Sequence, residues 1–194
     1  MRFFILISGI AVAFPAFAQM GNPAGWAPDT RLEAPGVPAP NQTNTQDRLF
    51  AQLIAAGGMA EVELGKLAAG KARGSTVKEF ANRMVDDHTS ANEKLSRIAD
   101  KSKIPLPTEL DGDHRKIRED LEKRDDGFDL AYMRAQVVDH QKTAQLLEWE
   151  IGFGQDAELQ RFASETLPIV LQHLELARIL TAELSNQALA KREP

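Results

Sequence analysis

The chain predicts an all-α fold, an up-down-up-down four-helix bundle with a short extra helix between the second and third long helices. Three observations carry this. Apolar residues recur three and four apart from residue 47 to residue 190. Proline is absent from Gln46 to Ile104, and β-branched runs are missing there. Four amphipathic stretches are separated by glycine or proline punctuation, and each is long enough for a bundle about 35–50 Å tall at about 1.5 Å per residue.

The first residues stand apart from this fold. Met1-Arg2 is followed by a mostly apolar run from Phe3 to Phe17, which ends in Ala16-Phe17-Ala18. One positive charge, a short apolar core and small residues at its exit predict a cleaved secretory signal peptide over 1–18. The predicted location is therefore periplasmic or secreted. The chain has no cysteine, so no lipid anchor can form at the cleavage site. The same absence removes disulfides, thiolate metal sites and Cys nucleophiles. Residues 19–46 carry Pro23, Pro28, Pro35, Pro38 and Pro40 with several glycines, the composition of a disordered tether.

The first long helix is expected over about Asp47–Ala69, with an inward stripe of Phe50, Ile54, Gly57, Glu61, Leu64 and Ala68. Ala51, Gly58, Gly65 and Ala72 repeat every seven residues on it, a small-residue row that lets a neighbouring backbone approach. Ser75 is the expected N-cap of a second helix reaching about Lys101, with stripe Ala81, Met84, His88, Ala91, Leu95 and Ile98. Pro105 and Pro107 break the chain. A short, highly charged helix follows over about Thr108–Arg124. Asp126-Gly127 precedes a third long helix, Phe128–Phe153, with Leu130, Met133, Val137, His140, Ala144, Leu147 and Ile151 inward. Asp156 is a cap for the last helix, Ala157–Ala190, with stripe Leu159, Phe162, Thr166, Ile169, His173, Leu176, Leu180 and Leu184. Pro168 lies inside that helix and should kink it.

Three of the four histidines, His88, His140 and His173, fall on inward stripes of three different helices. Glu61 falls on the stripe of the fourth. Four inward polar groups on four helices are the arrangement from which bundles build metal sites, and imidazole with carboxylate suits zinc, iron, manganese or copper. Counting from an end where both tight turns are placed, His88 and His140 are level. Glu61 lies about 7 Å nearer the turns and His173 about 6 Å farther. Asp86 and Asp87 beside His88, Asp139 and Gln141 beside His140, and Gln172 beside His173 can serve only as partners across helices, since adjacent residues do not face each other. A structural polar layer would look the same in the sequence, and a pH-sensing cluster of buried imidazoles is a third reading. His114, in the charged stretch Asp111-Gly112-Asp113-His114-Arg115-Lys116, reads as a solvated loop or helix start.

Other chemistries are excluded. No phosphate-binding glycine loop, nucleophile elbow or H-E-x-x-H motif is present. A di-iron bundle needs Glu-x-x-His, but Val85, Val137 and Val170 precede the inward histidines by three residues. The net charge of −5, one unit more negative without Arg2, argues against a nucleic-acid partner. No later apolar run reaches the length of about 18 residues that spans a bilayer.

Met84-Val85-Asp86-Asp87-His88, Phe128-Asp129-x-x-Tyr132-Met133, Val137-Val138-Asp139-His140-Gln141-Lys142-Thr143, and Leu167-Pro168 followed by His173-Leu174 and Ala177 resemble the DUF4142 family. The resemblance runs from about Asp47 to Leu184. It implies a ferritin-like bundle exported in bacteria, with His88, His140 and His173 as the family's motif histidines. It implies no activity. Family members are often labelled outer-membrane proteins, yet no set of alternating barrel strands is legible here. The expected function is an exported bundle with an envelope or stress-related role, binding a transition metal through His88, His140, His173 and Glu61. The alternative is a structural or interaction bundle of the cell envelope whose histidines order the core. No acid/base pair or nucleophile stands out, so an enzyme is the third reading.

Overall fold

A computed structural model describes residues 38–190. The predicted signal peptide and most of the predicted tether lie outside the described residues. Five helices follow in order: α1 (Thr45–Lys71), α2 (Ser75–Lys101), α3 (Gly112–Glu122), α4 (Phe128–Phe153) and α5 (Ala157–Ala190). No strand is present among the described residues, and none of their helices is long and apolar enough to cross a membrane.

Each boundary has a local cause. Asn44 and Asp47 form a reciprocal capping box that starts α1. The N-cap of α2 is Gly74 rather than Ser75, and it has no side-chain cap of its own. Asp129, in the first turn of α4, instead accepts from the backbone N–H groups of Arg73 (3.0 Å) and Gly74 (2.7 Å). Asp111 caps α3, and Asp156 caps α5 through the N–H groups of Glu158 and Leu159. Gly127 enters α4 at φ 67°, a left-handed conformation that favours glycine. Pro168 is accommodated within the continuous span of α5.

α1 pairs with α2 and α4 with α5 as two hairpins. These stack with α1 against α4 and α2 against α5. The small-residue row of α1 serves this packing. A side chain at Gly65 would meet the Ala81 carbonyl and Val85 of α2 at 2.9 Å, so the two backbones are in near contact.

The strand of connections corrects one expectation. The α1–α2 turn sits beside the start of α4, through Asp129. The α4–α5 turn sits at the opposite end, where Gln155 and Asp156 donate to Asp47 of α1 and Ser102 donates to Asp156. The four long helices therefore run up, down, down and up, not up-down-up-down. The return stroke is made by residues 102–127. Arg118 of α3 pairs with Glu63, and Lys71 donates to the Glu122 carbonyl, so α3 climbs the α1–α4 side. A hairpin connection needs only about 2–8 residues, and this one is long enough to travel the bundle.

Two further differences follow from packing. The end of the predicted tether is docked: the Ala39 N–H donates to the Gln155 carbonyl, and the Ala157 N–H donates to the Ala39 carbonyl. On α5, Ile169 and Leu176 are exposed, while Val170, Leu174 and Ala177 carry the core. Leu159, Phe162 and His173 are buried as expected, while Val170, Leu174 and Ala177 take the place of Ile169 and Leu176, because α5 is covered mainly by α4 and only lightly by α2.

Candidate metal centre

His88 on α2, His140 on α4 and His173 on α5 meet in the middle of the bundle. All three are buried, and their ring centroids are 5.4–5.7 Å apart. The corrected helix directions explain why they meet. Measured from the end that holds the α4–α5 turn, Glu61, His88, His140 and His173 agree in depth to within about three residues, roughly 4.5 Å.

One ring nitrogen of each histidine lies within 4.8 Å of the other two. Each ring also holds a buried nitrogen with no hydrogen-bond partner: His88 Nε2, His140 Nε2 and His173 Nδ1. The opposite nitrogens of two rings are engaged. His140 Nδ1 lies 3.0 Å from the Gln136 carbonyl, which can only accept. The proton is therefore on Nδ1, and Nε2 carries a lone pair. His173 Nε2 lies 2.8 Å from Asp87 Oδ2, so its proton faces the carboxylate and Nδ1 is free to donate to a metal. Burial pushes all three imidazoles down, His140 to about 4 and His88 well below the usual histidine range. All three are thus neutral at pH 7, the form that binds metal. An ion with bonds of about 2.0–2.1 Å needs its nitrogens about 3.4 Å apart, against the 4.8 Å within which the three rings now offer them.

Glu61 is not brought among these three donors. Its Oε2 accepts from Gln136 Nε2 at 2.7 Å, and its Oε1 is 3.6 Å from His140 Nδ1, the protonated side of that ring. Burial, then the charge of Asp139, pushes its carboxyl well above the usual range. Glu61 is therefore a neutral acid and stands behind His140.

His114 corrects the expectation of a solvated histidine. It begins α3, as expected, but it is only 6 % exposed. Its ring bridges Asp111 and, at 3.3 Å, Asp139 of α4. Burial opposes its charge, but Asp139 and Asp111 outweigh this and raise it to about 9. The signal was its spacing from Ile117 and Leu121, which puts it on the inward face of α3. Of the residues beside the inward histidines, Asp87 is indeed a partner across helices, but for His173 rather than His88. Gln172 instead meets Arg83 at 3.3 Å. Gln136 was missed as a site residue: it is fully buried one turn before His140, on the same face of α4.

A helical bundle with a buried, inward-facing trio of imidazoles is the class these features define. The chain belongs to the DUF4142 family, a domain of unknown function whose sequence model matches residues 32–180. A comparison with curated proteins gives no match. Among solved structures, the crystal structure of a DUF305 fragment from Deinococcus radiodurans is similar, with a TM-score of 0.63 at 12 % identity. The match covers 76 % of this chain and 99 % of that one. At that identity the likeness speaks for the fold alone.

Proposed function

We propose that this protein is an exported bundle that binds one transition-metal ion through His88, His140 and His173, in an envelope or stress-related role. The observation that carries the reading is the set of three buried ring nitrogens without partners, on mutually close histidines. Unpaired buried polar atoms are costly. A layer that served only to order the core would pair its own nitrogens, and each of these three rings leaves one without a partner. Neutral imidazoles suit zinc, copper and iron, whereas manganese prefers oxygen donors. Asp87 would orient His173 and the Gln136 carbonyl would orient His140. Glu61 supports His140 rather than binding the ion. Export rests on the leader-like pattern of residues 1–18.

The test is metal analysis of tag-free protein after incubation with zinc, copper, iron or manganese salts. One equivalent of bound metal, with a raised Tm, is expected. Substoichiometric metal and an unmoved Tm for all four ions would overturn the reading. Export is checked by the mass of the protein recovered from the periplasmic fraction, which should begin near Gln19.

A further inference from the structure

The seam between α2 and α5 is the less tightly packed of the two hairpin-to-hairpin contacts, and a cleft of about 240 Å³ opens in it. His88 and His173 both line this cleft, while His140 does not. The cleft therefore borders the histidine cluster at His88 and His173, on its α2–α5 side. An ion bound by the three histidines would have only neutral protein donors, so an anion would suit its fourth position.

The walls of the cleft fit a small organic anion. Ala91, Phe162 and Val170 supply apolar surface, and Ser90 and Thr166 supply hydroxyls. At the mouth, Lys94 of α2 is paired with Glu165 of α5 across the seam. Both side chains are about half exposed, at 42 % and 53 %. Such a pair contributes little stability, so a ligand carboxylate can replace Glu165 on the ammonium group. Past Lys94 the seam continues with Arg97, Lys101 and Arg161 against Glu158, a local excess of positive charge beside the cleft. Asp87, the other carboxylate of the cleft, is already engaged by His173 and Arg83.

We propose that the α2–α5 cleft is a binding site for a small carboxylate, which reaches the fourth position of the metal and is held at the mouth by Lys94. This rests on the metal reading above, and the test separates the two. Apo protein is loaded with cobalt(II), a coloured stand-in for zinc, and succinate is titrated while the visible absorption is followed. A saturable spectral change is expected. Lys94→Glu should weaken succinate binding at least tenfold and keep one equivalent of cobalt. Ala91→Phe, which fills the cleft, should abolish the response. If cobalt binds stoichiometrically and succinate leaves the spectrum unmoved, the cleft proposal fails and the metal reading stands. If cobalt does not bind, both fail. An unchanged succinate affinity in Lys94→Glu would also overturn the proposal, and that variant decides if Ala91→Phe does not fold.

Discussion

The bundle buries polar groups at two levels, and the levels treat them differently. At the end that holds the α4–α5 turn, Asp47 and Asp156 are fully buried. Asp47 accepts from the N–H groups of Asn44, Gln155 and Asp156. Asp156 accepts from Ser102 and from its own helix start. Glu150 beside them is pushed well up by burial and then by the Asp47 charge, so it is a neutral acid. These contacts tie the start of α1, the end of α2 and the α4–α5 turn together. At mid-height the outer nitrogens of His140 and His173 are equally well held, but the nitrogens facing inward have nothing to bind. A satisfied buried polar group holds the fold together. Glu150 Oε1, Gln46 Oε1 and Trp149 Nε1 are also without partners, but the histidines differ in that a nitrogen from each of three rings lies within 4.8 Å of the other two.

The sharpest way to break this contrast is to mutate one residue in each level. His140→Ala should abolish stoichiometric metal binding, read by metal analysis, while the protein stays folded. Asp47→Ala should leave metal stoichiometry intact but lower unfolding stability by about 2–3 kcal/mol, because it strands backbone N–H groups that now donate to a buried carboxylate. Denaturant titration measures it. If Asp47→Ala removed the metal and His140→Ala did not, the assignment of roles would be reversed. Asp87→Asn should act in between, weakening metal affinity about 10–100-fold without removing it, as read by competition with a chelator.

Acidity should move the three inward histidines and Glu150 in opposite directions. An unfolded histidine takes up a proton near pH 6.5, whereas folded His140 resists until about 4. Between these values the unfolded state binds more protons, so stability falls as pH falls through that window. His88 and His173 act in the same sense. Glu150 does the reverse: the unfolded carboxyl ionises near 4.5 while the folded one keeps its proton, so stability falls as pH rises above that point. Tm profiles of the apo protein should therefore flatten on the acid side in His140→Gln. The smallest effect is expected from Glu150→Gln, which should gain more Tm at pH 8 than at pH 5. An acid limb that survives replacement of His88, His140 and His173 together by Gln would show that the histidines do not govern it.

Much of the candidate site was legible because helical periodicity is a local property. His88, His140 and His173 recur with the apolar residues around them, and that places them inward whatever the connections do. Glu61 also reads inward and is buried, but facing the core is not the same as reaching one ion. Which side of His140 it touches depends on how α1 sits against α4. His114 was hidden by its charged neighbours, since Asp111 is both its cap and its ion-pair partner. Ile169 and Leu176 read as core because the spacing of α5 permits two adjacent stripes. The neighbour that covers only one of them is specified elsewhere in the chain.

By itself, the sequence determined the helix count, nearly every helix boundary, the small-residue contact of α1 and the three inward imidazoles. Each depends on spacing, capping or residue size within a single element. The tertiary structure alone decided the direction of α4 and α5, and with it the level at which the histidines meet. It also decided which ring nitrogens are held and which are open. These follow from the long 102–127 connection and from hydrogen bonds between residues far apart in the chain, such as Asp129 with Gly74 and Asp87 with His173. Periodicity carries no information about such pairings, because it is blind to which way the next helix runs.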